Sequence, residues 1–264
     1  VWLLDDLFPG WRLRKVREGR ARFRTAHAYW EQERQQLTQH YAAAVQQYQR
    51  ASTQWTSEEQ AFRAVQAARN ADIDDQRRRY ESHEPEAVVE YCDTVLSNSP
   101  YPEGFPQQVD LEYVAESRML IVDCEVPAVD AMPSVKEVKY VQSRDELVEV
   151  PLRSVEIEKM YDSAVYQIAL RTVHELFAAD TARAIDTVVF NGWLCATDEK
   201  SGRPGCWCVL SFRADRGEFT SLNLAGVDPK ACFKALKGVS GARLYGLSPV
   251  LPVLAISRED RRFV

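Results

Sequence analysis

Tyr41-Ala42-Ala43-Ala44-Val45-Gln46-Gln47-Tyr48-Gln49-Arg50-Ala51-Ser52-Thr53-Gln54-Trp55 lies in the stretch that decides how the first part of this chain folds. Tyr41, Tyr48 and Trp55 recur at every seventh residue, and Phe62 continues the series. A second series, Trp30, Leu37, Ala44, Ala51, Glu58 and Val65, also steps by seven, and the offsets between the two alternate between four and three. This is the a/d spacing of a coiled coil, with large aromatics facing small alanines. The intervening Gln, Glu, Arg and Thr suit solvated flanks. Neither Gly nor Pro occurs between Gly19 and Pro85, and the Ala, Gln, Arg and Glu that fill the stretch favour helix. The pattern predicts a helix from about Arg20 to Ser82, about 90 Å long at about 1.5 Å per residue. A helix of that length cannot bury its stripe against one compact domain. It requires a second helix, from another copy or from a hairpin partner. Glu58 interrupts the seam and marks a bend or a polar position that sets register.

Outward from this stretch the composition changes. The 264 residues carry 33 Lys and Arg against 39 Asp and Glu, a net charge of -6, and 45% are hydrophobic. That balance excludes a disordered tail, a collagen-like fibre and a disulfide-stapled miniprotein. Residues 1–85 hold 14 basic against 12 acidic side chains, net +2, and the remainder holds 19 against 27, net -8. After Pro100, Gly and Pro recur every few residues, the punctuation of strands and turns. Two regions are expected: a helical arm over 1–85 and a mixed α+β domain over 86–264. The fold class is therefore α+β, a long coiled-coil-like arm followed by a domain with antiparallel hairpins and one central helix.

No apolar run approaches the ~20 residues of a membrane helix, so no membrane partner is expected. Val1-Trp2-Leu3-Leu4-Asp5-Asp6 turns acidic before a signal peptide could form. The first residue is Val rather than Met, and the expectation is a piece of a longer chain. Six Cys without a secretion signal read as reduced thiols in a cytoplasmic protein.

Within the second region, Val109 to Tyr113 alternates with period two and Met119 to Val126 is more apolar, which predicts a hairpin. Val135 to Val141 alternates again. Ile157, Tyr161, Val165, Ile168, Thr172 and Leu176 repeat at three or four and predict a helix over Ser154 to Ala179. Ile185 to Ala196 and Cys206 to Arg213 read as paired strands around a turn at Asp198 to Gly205. Asn191-Gly192 interrupts the first of them and reads as a bulge or turn rather than a site. Phe219 to Leu224 is expected as a short strand. Asp228-Pro229 opens a helix to about Leu236, with Asp as cap and Pro at the first helical position, and Gly238 ends it.

Candidate chemistry is sparse. Arg12, Arg14, Lys15, Arg17, Arg20, Arg22 and Arg24 cluster before the predicted helix, opposed only by Glu18 and flanked by Trp11 and Phe23. Guanidinium forks beside aromatics suit phosphate and base-stacking contacts, and positive charge at a helix start is unfavourable to the dipole. An anionic partner such as DNA is therefore expected there. Glu137 and Lys139 alternate on one strand and Asp123 lies on the preceding one. Two carboxylates and a lysine on adjacent strands could hold Mg2+ and activate water, although the wet face of a strand explains Glu137 and Lys139 more simply. Cys206 and Cys208 form a C-x-C with Cys195 on the paired strand, and Cys195 is expected opposite Cys208. Zinc would need a fourth ligand, so buried thiols are the simpler reading. His174-Glu175 lacks a second His at metal spacing. No Walker loop, nucleophile elbow or dinucleotide fingerprint is present.

The run Tyr161 to Phe177, with Val188-Val189-Phe190-Asn191-Gly192, Val227 to Gly238 and the turn Ser97-Asn98-Ser99-Pro100-Tyr101-Pro102-Glu103-Gly104-Phe105-Pro106, resembles the pre-nuclease region of bacterial restriction-system proteins of the Mrr type. The likeness covers Tyr91 to Val264 and rests on strings rather than catalytic motifs. It implies that a PD-(D/E)xK nuclease domain follows beyond Val264. The chain would then be the non-catalytic sensing and oligomerisation region of a DNA-cleaving defence endonuclease. It implies Mg2+ for that downstream domain and no cofactor here. The implied partners are a second copy through the seam, DNA, and a phage-derived or nucleotide trigger. The alternatives are a complete Mg2+-dependent nuclease using Asp123, Glu137 and Lys139, or a structural coiled-coil adaptor.

Overall fold

The computed structural model describes residues 9–197, 202–246, 248–257 and 262–263. The expectations for Val1 to Asp6 and for the turn residues Asp198 to Ser201 lie outside the described residues. The chain divides into two compact units, Val1–Asp72 and Ile73–Val264.

The first unit is built from helix α1, Pro9–Glu81, whose last turns belong to the second unit. The helix begins well before Arg20. Pro9 fits a first helical position, where no N–H is needed, and Gly10 and Gly19 are carried inside it. The basic cluster therefore lies within the helix rather than before it. Arg14 pairs with Glu18 at 3.1 Å, one turn away. Thr25, Thr38 and Thr53 each donate to the carbonyl four residues back, which satisfies their hydroxyls without leaving the helix.

The second unit is α+β. Helix α2, Pro85–Ser97, absorbs the apolar run around Tyr91 and buries Ala87, Val88, Cys92 and Leu96. Strands β1, Val109–Val114, and β2, Met119–Glu125, form the predicted antiparallel hairpin. Strands β3, Val135–Val141, and β4, Glu146–Pro151, pair with each other in a separate two-stranded sheet. Helix α3 runs over Ser154–Ala179, the span its periodicity predicts, and Glu156 accepts the Arg153 N–H at 3.1 Å to close its first turn. Strands β5, Thr187–Thr197, and β6, Pro204–Asp215, are antiparallel, followed by the single turn α4, Arg216–Phe219. Helix α5, Pro229–Ala235, is capped by Asp228, whose carboxylate accepts the Ala231 N–H at 2.7 Å, and β7 is Val239–Ser240.

The five-stranded sheet has the order β1-β2-β5-β6-β7, with β2 and β5 parallel. A parallel join needs a long crossover, and the β3–β4 hairpin and α3 supply it. Leu120, Val122, Val188, Phe190, Leu210 and Phe212 face the main core, where α2, α3 and α5 contribute Val88, Tyr161, Val165, Val173, Phe177 and Phe233. On the opposite face Ile121 and Val189 pack with Ile256, and Trp193 and Cys208 pack with Phe263. Strands β2 and β5 are thus covered on both sides, which explains their nearly unbroken apolar runs.

The Asn191-Gly192 reading holds. The β5–β6 register shifts between Gly192 and Trp193, and a Cβ on Gly192 would stand 2.9 Å from Leu210 Cδ2. The expected strand at Phe219 to Leu224 does not form. Arg216 donates to the carbonyls of Phe177 and Ile185 and turns the chain off the sheet, so Phe219 ends α4 and Leu224 opens a separate short turn.

Candidate functional site

The most extended candidate surface is the seam of α1. Trp30, Leu37, Tyr41, Tyr48, Trp55 and Phe62 are all exposed, Tyr48 to 75% and Trp55 to 63%. Ala44, Ala51 and Glu58 are exposed beside them. Single exposed apolar side chains need no explanation, whereas a continuous stripe of this kind makes a candidate interaction surface.

The seven basic residues Arg12, Arg14, Lys15, Arg17, Arg20, Arg22 and Arg24 are exposed on the first turns of α1. At 3.6 residues per turn they encircle the helix rather than share one face. Arg17, Arg20 and Arg24 form one stripe, and Lys15 and Arg22 lie on another. Lys15 stands over the Trp11 ring at 3.5 Å. One straight phosphate backbone could therefore engage the three-arginine stripe but not all seven charges.

Asp123, Glu137 and Lys139 are not brought together on adjacent strands. Asp123 is fully buried in β2, whose neighbours are β1 and β5, while Glu137 and Lys139 are exposed on β3 in the other sheet and pair with each other at 3.0 Å. Among the described residues no cluster of three His, Cys, Asp or Glu could hold a metal ion.

The cysteines also depart from expectation. The register of β5 on β6 sets Cys195 opposite Cys206 rather than Cys208, one residue of that displacement coming from the bulge at Gly192, and the two form a disulfide. Cys92, Cys124, Cys208 and Cys232 are free and buried, so of the three cysteines read as buried thiols only Cys208 is one. Burial pushes the Cys92, Cys124 and Cys208 thiols up to about 12, which makes them poor nucleophiles and poor metal ligands.

Two buried polar assemblies were not legible in the residue pattern. On the second face of the five-stranded sheet, Asp123, Asn191 and Ser211 are direct cross-strand neighbours on β2, β5 and β6. Asn191 donates to Asp123 at 2.7 Å and accepts from Ser211 at 2.6 Å. The row then grips the C-terminal segment. Asn191 donates to the Leu254 carbonyl at 2.8 Å, and the Val253 N–H donates to Ser211 Oγ at 2.9 Å. On β1, Glu112 accepts the Ser257 N–H at 2.6 Å.

The second assembly centres on Asp180, just after α3. Its carboxylate accepts the backbone N–H groups of Ala184 and Ile185, at 3.0 and 2.9 Å, the Tyr80 hydroxyl, and the Arg216 guanidinium. Burial and the facing carboxylate hold the Tyr80 phenol well above its ordinary range. A buried charge with this many donors is satisfied and rigid, the signature of a structural node. Nearby, Ile73, Arg77, Tyr80, Tyr91 and Thr94 line a cleft of about 410 Å³.

No helix among the described residues is long and apolar enough to cross a membrane. Compared with known protein families, curated proteins and solved structures, the chain has no match in any of the three.

Proposed function

We propose that this chain is an assembly and sensing region in which α1 pairs with another copy and the α+β unit positions or regulates a partner domain. The exposed seam carries the reading: a row of solvent-exposed aromatics at heptad spacing is accounted for by a second helix. The resemblance to the pre-nuclease region of Mrr-type restriction proteins supplies the setting, a cytoplasmic DNA-cleaving defence protein whose Mg2+-dependent nuclease lies elsewhere. In that setting DNA would be met first by the Arg17, Arg20 and Arg24 stripe. A phage-derived or nucleotide trigger would be met by the α+β unit. Asp123 lies in a different sheet from Glu137 and Lys139, so placement on adjacent strands no longer supports a nuclease built from those residues.

Sedimentation velocity over a concentration series tests the reading. The chain is expected to self-associate at micromolar concentration, and Tyr48→Lys with Trp55→Lys is expected to return it to monomer while leaving the α+β unit folded. A monomeric parent chain at all concentrations would remove the assembly role. DNA binding is tested separately by a titration of Arg17→Ala, Arg20→Ala, Arg24→Ala against the parent at two salt concentrations. The expectation is weak, sequence-independent binding whose salt slope falls by about 0.9 for each phosphate that is no longer neutralised. Equal slopes would make the stripe a solvated helix face. The Cys195–Cys206 disulfide runs against the reduced thiols that a cytoplasmic setting implies, and alkylation of freshly lysed material tests that setting: a bond intact in cells would count against it.

A further inference from the structure

The seam also holds a code for how the two helices meet. Its first column runs Tyr41, Tyr48, Trp55 and Phe62, and seven-residue steps extend it backwards to Arg34 and Arg20 and forwards to Arg69. Its second column, Trp30 to Val65, extends backwards to Phe23 and forwards to Asp72. Bulky residues dominate the first column where the second is small, at Ala44 and Ala51. The first column carries basic interruptions and the second carries acidic ones, Glu58 and Asp72.

In a parallel, in-register pair each position meets its own copy. Arg34 would face Arg34, Glu58 would face Glu58, the aromatic layers would be overfilled, and the alanine layers would be left with gaps. In an antiparallel pair the first column of one helix meets the second column of the other. Arg20 and Arg34 are 14 residues apart, and so are Glu58 and Asp72. One antiparallel register therefore places Arg34 against the partner's Glu58 and Arg20 against the partner's Asp72 together. The same register sets Tyr48 on the partner's Ala44 and Tyr41 on the partner's Ala51, large against small. It brings Arg69 to the face of the partner's Phe23, a cation–π arrangement. A shift of one heptad in either direction separates both ion pairs.

The side chains are available for this. Among the described residues no ion pair within the chain engages Arg20 or Asp72. Arg34 lies over the Trp30 ring at 4.8 Å, and Glu58 accepts from the Gln54 amide at 2.8 Å, contacts on the helix surface that a partner can replace. The two-fold axis of this register passes through Gln46, close to the middle of α1, so the two helices overlap along nearly their whole length.

We propose that α1 forms an antiparallel homodimer centred on Gln46, with Arg34–Glu58 and Arg20–Asp72 as reciprocal ion pairs across the seam. This rests on the self-pairing proposed above.

Spin-label distances on the full chain test it. Gln32→Cys and Gln46→Cys are each labelled and measured by double electron–electron resonance, with the unmodified chain as control for its buried cysteines. In the proposed register the two labels at 46 sit at the same height. The two labels at 32 are displaced by 28 residues along the axis, about 42 Å. The expected result is a long distance at 32 and a short one at 46. Equal distances at the two sites mean a parallel pair, and a shortest distance away from 46 means another register. Either result overturns this inference and leaves self-assembly intact. A monomer by mass with no dipolar signal overturns both. Charge reversal gives a second reading. Arg34→Glu and Glu58→Arg are each expected to weaken self-association by about tenfold or more, and the double reversal to restore it. A parallel pair, with like facing like before and after, would leave all three near the parent.

Discussion

The two units of this chain hold large apolar side chains in opposite ways. In the second unit Tyr161, Phe190, Phe212 and Phe233 are sealed in a core between helices and sheet, each essentially without exposure. In the first, Trp30, Tyr48, Trp55 and Phe62 stand in solvent along one helix. The difference separates two uses of the hydrophobic effect. The α+β unit buries its apolar surface in its own core, whereas the helix leaves its apolar surface in solvent. Polar groups follow the same division. Asp123, Asn191, Ser211 and Asp180 are buried and hydrogen-bonded, while the ion pairs of α1 are exposed neighbours one turn apart and contribute little each.

Substitutions can break or sharpen this contrast. The largest effect is expected at Asp180, where Ala would strand the Arg216 guanidinium and two backbone N–H groups. A loss of about 3–5 kcal/mol in denaturant unfolding of the α+β unit is expected. A loss below about 1 kcal/mol would show that the node is not sealed from water. Asn191→Ala should cost about 1–3 kcal/mol in the same measurement, because it leaves Asp123 and Ser211 short of a partner. Asp228→Ala removes the α5 cap and should cost about 1 kcal/mol. Trp55→Ala should change that unfolding by less than about 0.5 kcal/mol while lowering self-association. An equal loss at Trp55 and Asn191 would erase the distinction between the units.

A smaller effect is set by pH. The Arg153 N–H and the Lys136 ammonium hold the Glu156 carboxyl below the usual carboxylate range. Its contribution to closing α3 is present above the unfolded carboxyl's pKa and fades as pH falls through the lowered folded value. Acid unfolding of Glu156→Gln should therefore lose part of the parent's pH dependence in the acid range.

Much of this fold was legible in local pattern. The period near 3.6 over Ile157 to Leu176 placed α3, the Asp228-Pro229 dipeptide placed the start of α5, and Asn191-Gly192 placed the bulge, because each rests on constraints within a few residues. The start of α1 was missed because a glycine costs a long helix only about 1 kcal/mol, too little to stop it at Gly19. What escaped was decided across the sheet. The parallel β2–β5 join puts Asp123 beside Asn191, residues separated by an entire hairpin and α3 in sequence, and no local signal announces that pairing. The placing of β3 and β4 in their own sheet, which parts Glu137 and Lys139 from Asp123, is likewise a tertiary outcome. The disulfide partner of Cys195 depended on the register of β5 on β6, bulge included, which loop symmetry misplaced by two residues.

The polar row under the C-terminal segment has a consequence for how freely that segment can vary. Asn191, Ser211 and Glu112 hold it by the Leu254 carbonyl and by the N–H groups of Val253 and Ser257, and Glu112 also accepts the Ser257 hydroxyl. At Val253 and Leu254 the grip reads a path rather than a spelling. Leu251, 87% exposed, can be exchanged for many residues without loosening the segment. A proline at 253 or 257 would delete a donor outright. Tolerance to substitution should thus be high at Leu251, Val253 and Leu254 and low at Ile256, whose side chain packs on Ile121 and Val189, and on the strands beneath, a contrast that a saturation library scored for folded protein would display as open and closed positions.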